Sequence, residues 1–295
     1  MDSPRTGAIV ACWIAIIIGS AANGCVNVNA VLEQQSEARR LAADLLVQFT
    51  KAADAANRAV MADTDEKSVA FAREAEQTTQ AIQRDVDALA TTLHALSYSD
   101  EGRLLQEFAS RFAEYRALDR RILDLAVENT NLKAQRLSFG PAQEAADAFR
   151  DALEAVTPSA PVDSWRVKAL VATAVATVRE IQLLQAPHIA DADETVMTRM
   201  EKRMATSEAT ARQAIAVLTP LVQPAARSRL AAASAALERF MDLNAQIIAL
   251  SRRNTNVRSL ALSLDQKRTI TIACEDNLRA LREALAKRGF TGTRR

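Results

Sequence analysis

The stretch from residue 66 to residue 138 recurs, without a gap, 125 residues further along the chain. Asn129-Thr130-Asn131 returns as Asn254-Thr255-Asn256, and Leu137-Ser138 as Leu262-Ser263. Leu93, Leu96, Leu105, Leu118, Ile122 and Leu125 return as Leu218, Leu221, Leu230, Leu243, Ile247 and Leu250. Identities on apolar positions three or four apart over such a length predict two copies of one helical unit. Only 4% of the chain is aromatic, and Gly and Pro number seven each. Few breakers among many alanines exclude strands as the main element and predict an all-α protein.

The apolar phase predicts the helices. Leu41, Leu45, Phe49, Ala52, Ala56 and Val60 put a first helix over 33–62. Asp63-Thr64-Asp65 makes a capped turn. Val86, Leu89, Leu93 and Leu96 mark a second helix over 66–96, and Leu105, Phe112, Tyr115, Leu118, Ile122 and Leu125 a third, ending near Glu128. A fourth runs from Asn129-Thr130-Asn131 to Val156, kinked at Pro141, where a ring replaces a backbone donor. Pro158 and Pro161 interrupt the chain. The second copy then repeats the scheme. Its first helix covers 163–186 and stops at Pro187; its last carries Val257, Leu260, Leu264, Cys274, Leu278, Leu281 and Leu285. Short turns force neighbouring helices antiparallel. The expected fold is two tandem up-down-up-down four-helix bundles over 33–156 and 163–288. A linker over 157–162 joins them, and a tail over 289–295 follows.

At the N-terminus, Ala8 to Ala22 is an apolar run of 15 residues, ended by Ala22-Asn23-Gly24-Cys25. Its length suits a signal-peptide core better than a full span, which takes about 20 residues. Ala22-Asn23-Gly24-Cys25 resembles a bacterial lipobox, although Ala22 stands where a Leu is usual. The resemblance implies lipidation at Cys25. Residues 1–25 are therefore expected to be a signal peptide or membrane anchor, with three modes open: lipoprotein, signal anchor, or secreted protein. Each exports the rest to the periplasm or cell exterior. Three cysteines in all are too few for a disulfide scaffold, and Cys274 reads as a buried small hydrophobe.

Four features resemble the four-helix-bundle sensory domain of methyl-accepting chemotaxis receptors and related sensor kinases. An apolar segment runs into the first helix, and an Asp-rich turn at 63–65 follows it. The third helix carries an aromatic pair, Phe112 and Tyr115, matched by Leu237 and Phe240. A polar turn, A-V-E-N-T-N-L-K-A at 126–134 and S-R-R-N-T-N-V-R-S at 251–259, opens the fourth helix. The resemblance implies an extracytoplasmic sensor in two copies. Such receptors continue into a second membrane helix and a cytoplasmic output domain. No such sequence follows the second copy here, so the expected partner is a separate transducer or a second copy of the chain. Receptors of this type meet small acidic ligands, an organic acid or amino acid, through arginines at helix ends. Here those positions carry Arg58, Arg73, Arg179 and Arg199, whose planar guanidinium suits carboxylates. The alternative expectation is a scaffolding lipoprotein with no small-molecule ligand.

Catalytic chemistry is not legible. There is no phosphate loop or nucleophile motif, and no cofactor or metal site is expected. His94 and His188 lack spaced ligand partners. Asp191, Asp193 and Glu194 favour a helix start, and the recurring Asn-Thr-Asn reads as a helix cap. With a net charge of +1 and no basic face, nucleic acid is not an expected partner.

Overall fold

A computed structural model describes residues 10–157 and 164–288, with side chains from residue 29 onward. The described chain is all-α. Its helices are α1 (Val10–Val60), α2 (Asp65–Ala95), α3 (Ser99–Glu128), α4 (Thr130–Leu137) and α5 (Gln143–Glu154), then α6 (Ser164–Ala190), α7 (Glu194–Leu218), α8 (Arg227–Arg253), α9 (Thr255–Leu262) and α10 (Arg268–Lys287). A π-helical turn, Ser138–Ala142, joins α4 to α5, and another, Ser263–Lys267, joins α9 to α10. The two turns lie 125 residues apart, so the sequence repeat extends to the backbone. The expected linker and tail fall largely outside the described residues, as do residues 1–9. Cys25 lies on α1, in its part without described side chains.

The turns follow from local chemistry. Thr64 Oγ1 accepts from the Lys67 N–H at 3.2 Å and caps α2. Asp193 Oδ1 accepts from Thr195 N–H at 2.7 Å and Val196 N–H at 3.3 Å, capping α7 as expected of an acidic helix start. α2 ends at Ala95, and the turn after it places Ser97 at a left-handed φ of 58°. There Tyr98 N–H donates to Leu93 O and Ser97 N–H to His94 O, both at 3.0 Å, satisfying carbonyls the helix leaves open. Pro187 does not stop its helix: α6 continues one turn, to Ala190. The missing Pro187 N–H falls opposite Leu183, whose side chain is exposed.

The chain forms two compact units, and neither is a contiguous half. The first comprises the described residues within 1–58, 70–120 and 265–295. Its core joins Leu41, Leu45 and Phe49 of α1, Ile82 and Leu89 of α2, Phe108, Phe112 and Tyr115 of α3, and Cys274, Leu278, Leu281 and Leu285 of α10. Phe49 meets Phe108 edge-on at 6.1 Å and Tyr115 at 5.0 Å, while Phe108 and Phe112 stack at 5.4 Å. Such pairs add about 0.5–1.5 kcal/mol each beyond burial. The aromatic pair singled out in the sequence is thus core, and Cys274 is fully buried.

The second unit comprises the described residues within 59–69 and 121–264. Its core joins Phe149 and Leu153 of α5, Val171, Val178 and Ile181 of α6, Met197, Met204 and Leu218 of α7, and Leu230, Leu237 and Phe240 of α8. Alanines 134, 142, 145, 211, 214 and 233 let these helices approach closely. The halves expected at 33–156 and 163–288 therefore each supply helices to both units. The fourth helix of the first copy buries its apolar face beside α6 and α8, and that of the second copy beside α1, α2 and α3.

The π turn also changes which residues are inside. Leu264, expected in a core stripe, is 64% exposed, whereas Lys267 is 2% exposed; Leu260, also expected inside, is 42% exposed already ahead of the turn. A π turn inserts a residue into the 3.6-residue phase and rotates the face that follows.

Candidate functional site

The two Asn-Thr-Asn motifs meet in the second unit. Asn129 and Asn254 take left-handed φ values of 50° and 52°, and neither caps its helix with its own side chain. Each copy caps the other instead. Thr130 N–H donates to Thr255 Oγ1, and Thr255 N–H to Thr130 Oγ1, both at 3.1 Å. Asn131 N–H donates to Asn256 Oδ1 at 3.1 Å, and Asn256 N–H to Asn131 Oδ1 at 3.2 Å. The amides complete the set: Asn131 Nδ2 donates to Asn254 Oδ1, and Asn256 Nδ2 to Asn129 Oδ1. The four orphan N–H groups at a helix start need acceptors, and here each start borrows them from its copy. Thr255→Val keeps the shape but leaves the buried Thr130 N–H without its acceptor. The expected loss is about 1–3 kcal/mol in urea denaturation; a neutral outcome would show that the reciprocal cap is dispensable.

This knot continues into a polar network. Asn131 Nδ2 also donates to Ile189 O at 2.6 Å, and Asn254 Nδ2 to Asp191 O at 2.8 Å, tying down the end of α6. One turn back, His188 is fully buried. Its Nδ1 lies 2.7 Å from Ser251 Oγ, which donates to the His188 carbonyl at 2.8 Å. His188 Nε2 lies 2.8 Å from Glu201 Oε1. Glu201 also takes the Arg252 fork, at 2.6 Å from Nε and 2.9 Å from Nη2. Hydrogen bonding from Arg252 holds the Glu201 carboxyl below its ordinary range, against the cost of partial burial. Near the π turn of the first copy, Ser138 donates to Gln185, and Gln185 to Asn244, all three buried. Sequence reasoning missed His188 as a structural hub, because its partners lie 13 and 63 residues away.

The four arginines expected to meet a ligand fall into different settings. Arg58, in the first unit, pairs with Asp54 and Glu74 and lies 4.5 Å from the Phe71 ring centroid. Arg179, in the second, is held by Asp147 at 2.7 Å and by Gln182. Arg73 and Arg199 are exposed.

The first unit holds a cavity of about 660 Å³ between the C-terminal half of α2 and the N-terminal half of α3. Buried Val86, Leu93 and Leu105 make it apolar. Exposed His94, Ser97 and Gln106 stand at its edge. This volume lies within the range of small-molecule sites, about 300–1,000 Å³. Among the described residues no cluster of His, Cys, Asp and Glu is arranged to hold a metal ion, and no helix is long and apolar enough to cross a membrane.

Residues 7–158 match the family described as a four helix bundle sensory module for signal transduction. No curated protein and no solved structure matches the chain. The match covers just over half of the sequence, and with the all-α bundles it shows that the chain belongs to this family of sensory modules.

Proposed function

We propose that the protein is the extracytoplasmic, membrane-anchored sensing part of a signalling system, without catalytic activity of its own. Its N-terminal apolar segment would tether it, with Cys25 as the lipid attachment point. A separate transducer would carry the signal onward. The second compact unit, built from both copies of the repeat, would serve as a second sensory bundle.

The observation that carries this reading is the family match over residues 7–158. The interior adds support. Polar crosslinks such as His188–Glu201–Arg252 join three helices, so a ligand that moved one would disturb bonds to the others. A small organic acid or amino acid would be met by Arg73 or Arg199, which are exposed, rather than by Arg58 or Arg179, whose guanidinium groups are already engaged. The test is thermal melting of the full chain in detergent micelles with malate, acetate and aspartate. A dose-dependent rise for one of them, lost in Arg73→Ala or Arg199→Ala, is the expected outcome, since binding to the native state alone raises stability. Flat curves for all three would remove the acidic-ligand site.

A further inference from the structure

We propose that the cavity between α2 and α3 binds an uncharged, largely aromatic small molecule through a single hydrogen-bonding end. This proposal rests on the sensory reading for its purpose, but on the cavity itself for its chemistry.

The first observation is Gly102. It lies inside α3, its φ is negative, and a Cβ built on it meets nothing within 4 Å. Glycine weakens a helix relative to alanine. Neither backbone conformation nor close packing requires it at this place. What it does is keep the cavity open, together with Ala90 and Ala109. A side chain at residue 102 would project into space that the rest of the fold leaves free.

The second observation is the lining. Among the described residues, neither Asp, Glu, Lys nor Arg contributes to it. The nearby cation, Arg288, is committed: its Nε and Nη2 reach both oxygens of buried Glu101 at 2.7 and 2.8 Å. A carboxylate ligand would bring a charge with no fixed counter-charge. The apolar interior instead suits a ring, and His94, Ser97 and Gln106 offer donors and acceptors to one polar end. The ligand class is thus distinct from the acids that Arg73 or Arg199 would meet.

Three probes that share one ring separate the possibilities: benzamide, phenol and benzoate. Each is titrated into the full chain in micelles, with helical melting as the readout. Wild type, Gly102→Ala and Gly102→Leu are compared, so partition into detergent is common to all. Benzamide and phenol should raise the melting temperature, and benzoate should act only at about tenfold higher concentration or more. Gly102→Ala should melt higher without ligand and keep the response, which shows that the site tolerates a better helix former. Gly102→Leu should fold yet lose the response by about tenfold or more. No response to benzamide or phenol would overturn the proposal, as would an undiminished response in Gly102→Leu or a preference for benzoate. Malate or aspartate responding while the ring probes do not would leave the sensory reading standing and remove this site alone.

Discussion

Made separately, residues 33–156 and 163–288 should each be largely unfolded, although the repeat alone suggests two self-sufficient halves. The first half would keep α1, α2 and α3 but lose Leu278, Leu281 and Leu285, which are essentially unexposed in their core. Full burial of such a side chain is worth about 1.5–3 kcal/mol. The three together approach the whole stability of an ordinary domain, about 5–15 kcal/mol. The same half would carry Phe149 and Leu153 with no α6 or α8 to cover them. The second half has the converse defect: α6, α7 and α8 lose Phe149 and Leu153, and α10 is left without partners. Circular dichroism should show weak helicity and a broad melt for each half, and a recovered cooperative melt when they are mixed. A sharp, independent melt from either half would contradict the division into these two units.

The helices themselves were legible because their apolar stripes are regular. Leu41, Leu45, Phe49, Ala52, Ala56 and Val60 are all buried. What was not legible is which stripe meets which. An apolar face specifies only that it must be covered, and with two similar copies the fourth helix of either fits the partners of the other. The π turns were hidden for another reason. Pro141 marks one, but the turn at Ser263–Lys267 contains no proline and leaves no local signal. Its consequence, Leu264 outside and Lys267 inside, reverses what hydrophobicity predicts. The Asn-Thr-Asn turn was recognised as a cap, but capping by the other copy depends on tertiary structure that no local pattern encodes. The cavity was invisible for the same reason.

Lys267 is the residue whose replacement should cost most. It stands where the first copy has Ala142, and its Nζ lies 2.6 Å from Asp119 Oδ1, with both side chains buried. Lys267 Nζ is also 5.4 Å from the Tyr115 ring centroid. Burial pushes the Asp119 carboxyl above its ordinary range even though Lys267 pulls it down. Lys267→Met removes that pull and leaves a buried charge alone, which costs about 3–5 kcal/mol near neutral pH. The loss should depend on pH in a definite direction. A carboxyl with a raised folded pKa contributes stability that is complete below its unfolded pKa, about 3.9, and lost as pH rises through the folded value. Without Lys267 that folded value climbs further. The penalty of Lys267→Met should therefore be smallest near about pH 4 and grow toward neutrality. Asp119→Leu combined with Lys267→Met removes both charges and should be neutral, or stabilising by about 1–4 kcal/mol. Urea denaturation of the two single variants and the double variant closes the cycle. A double variant as unstable as Lys267→Met alone would mean that the pair is held by more than its mutual charge.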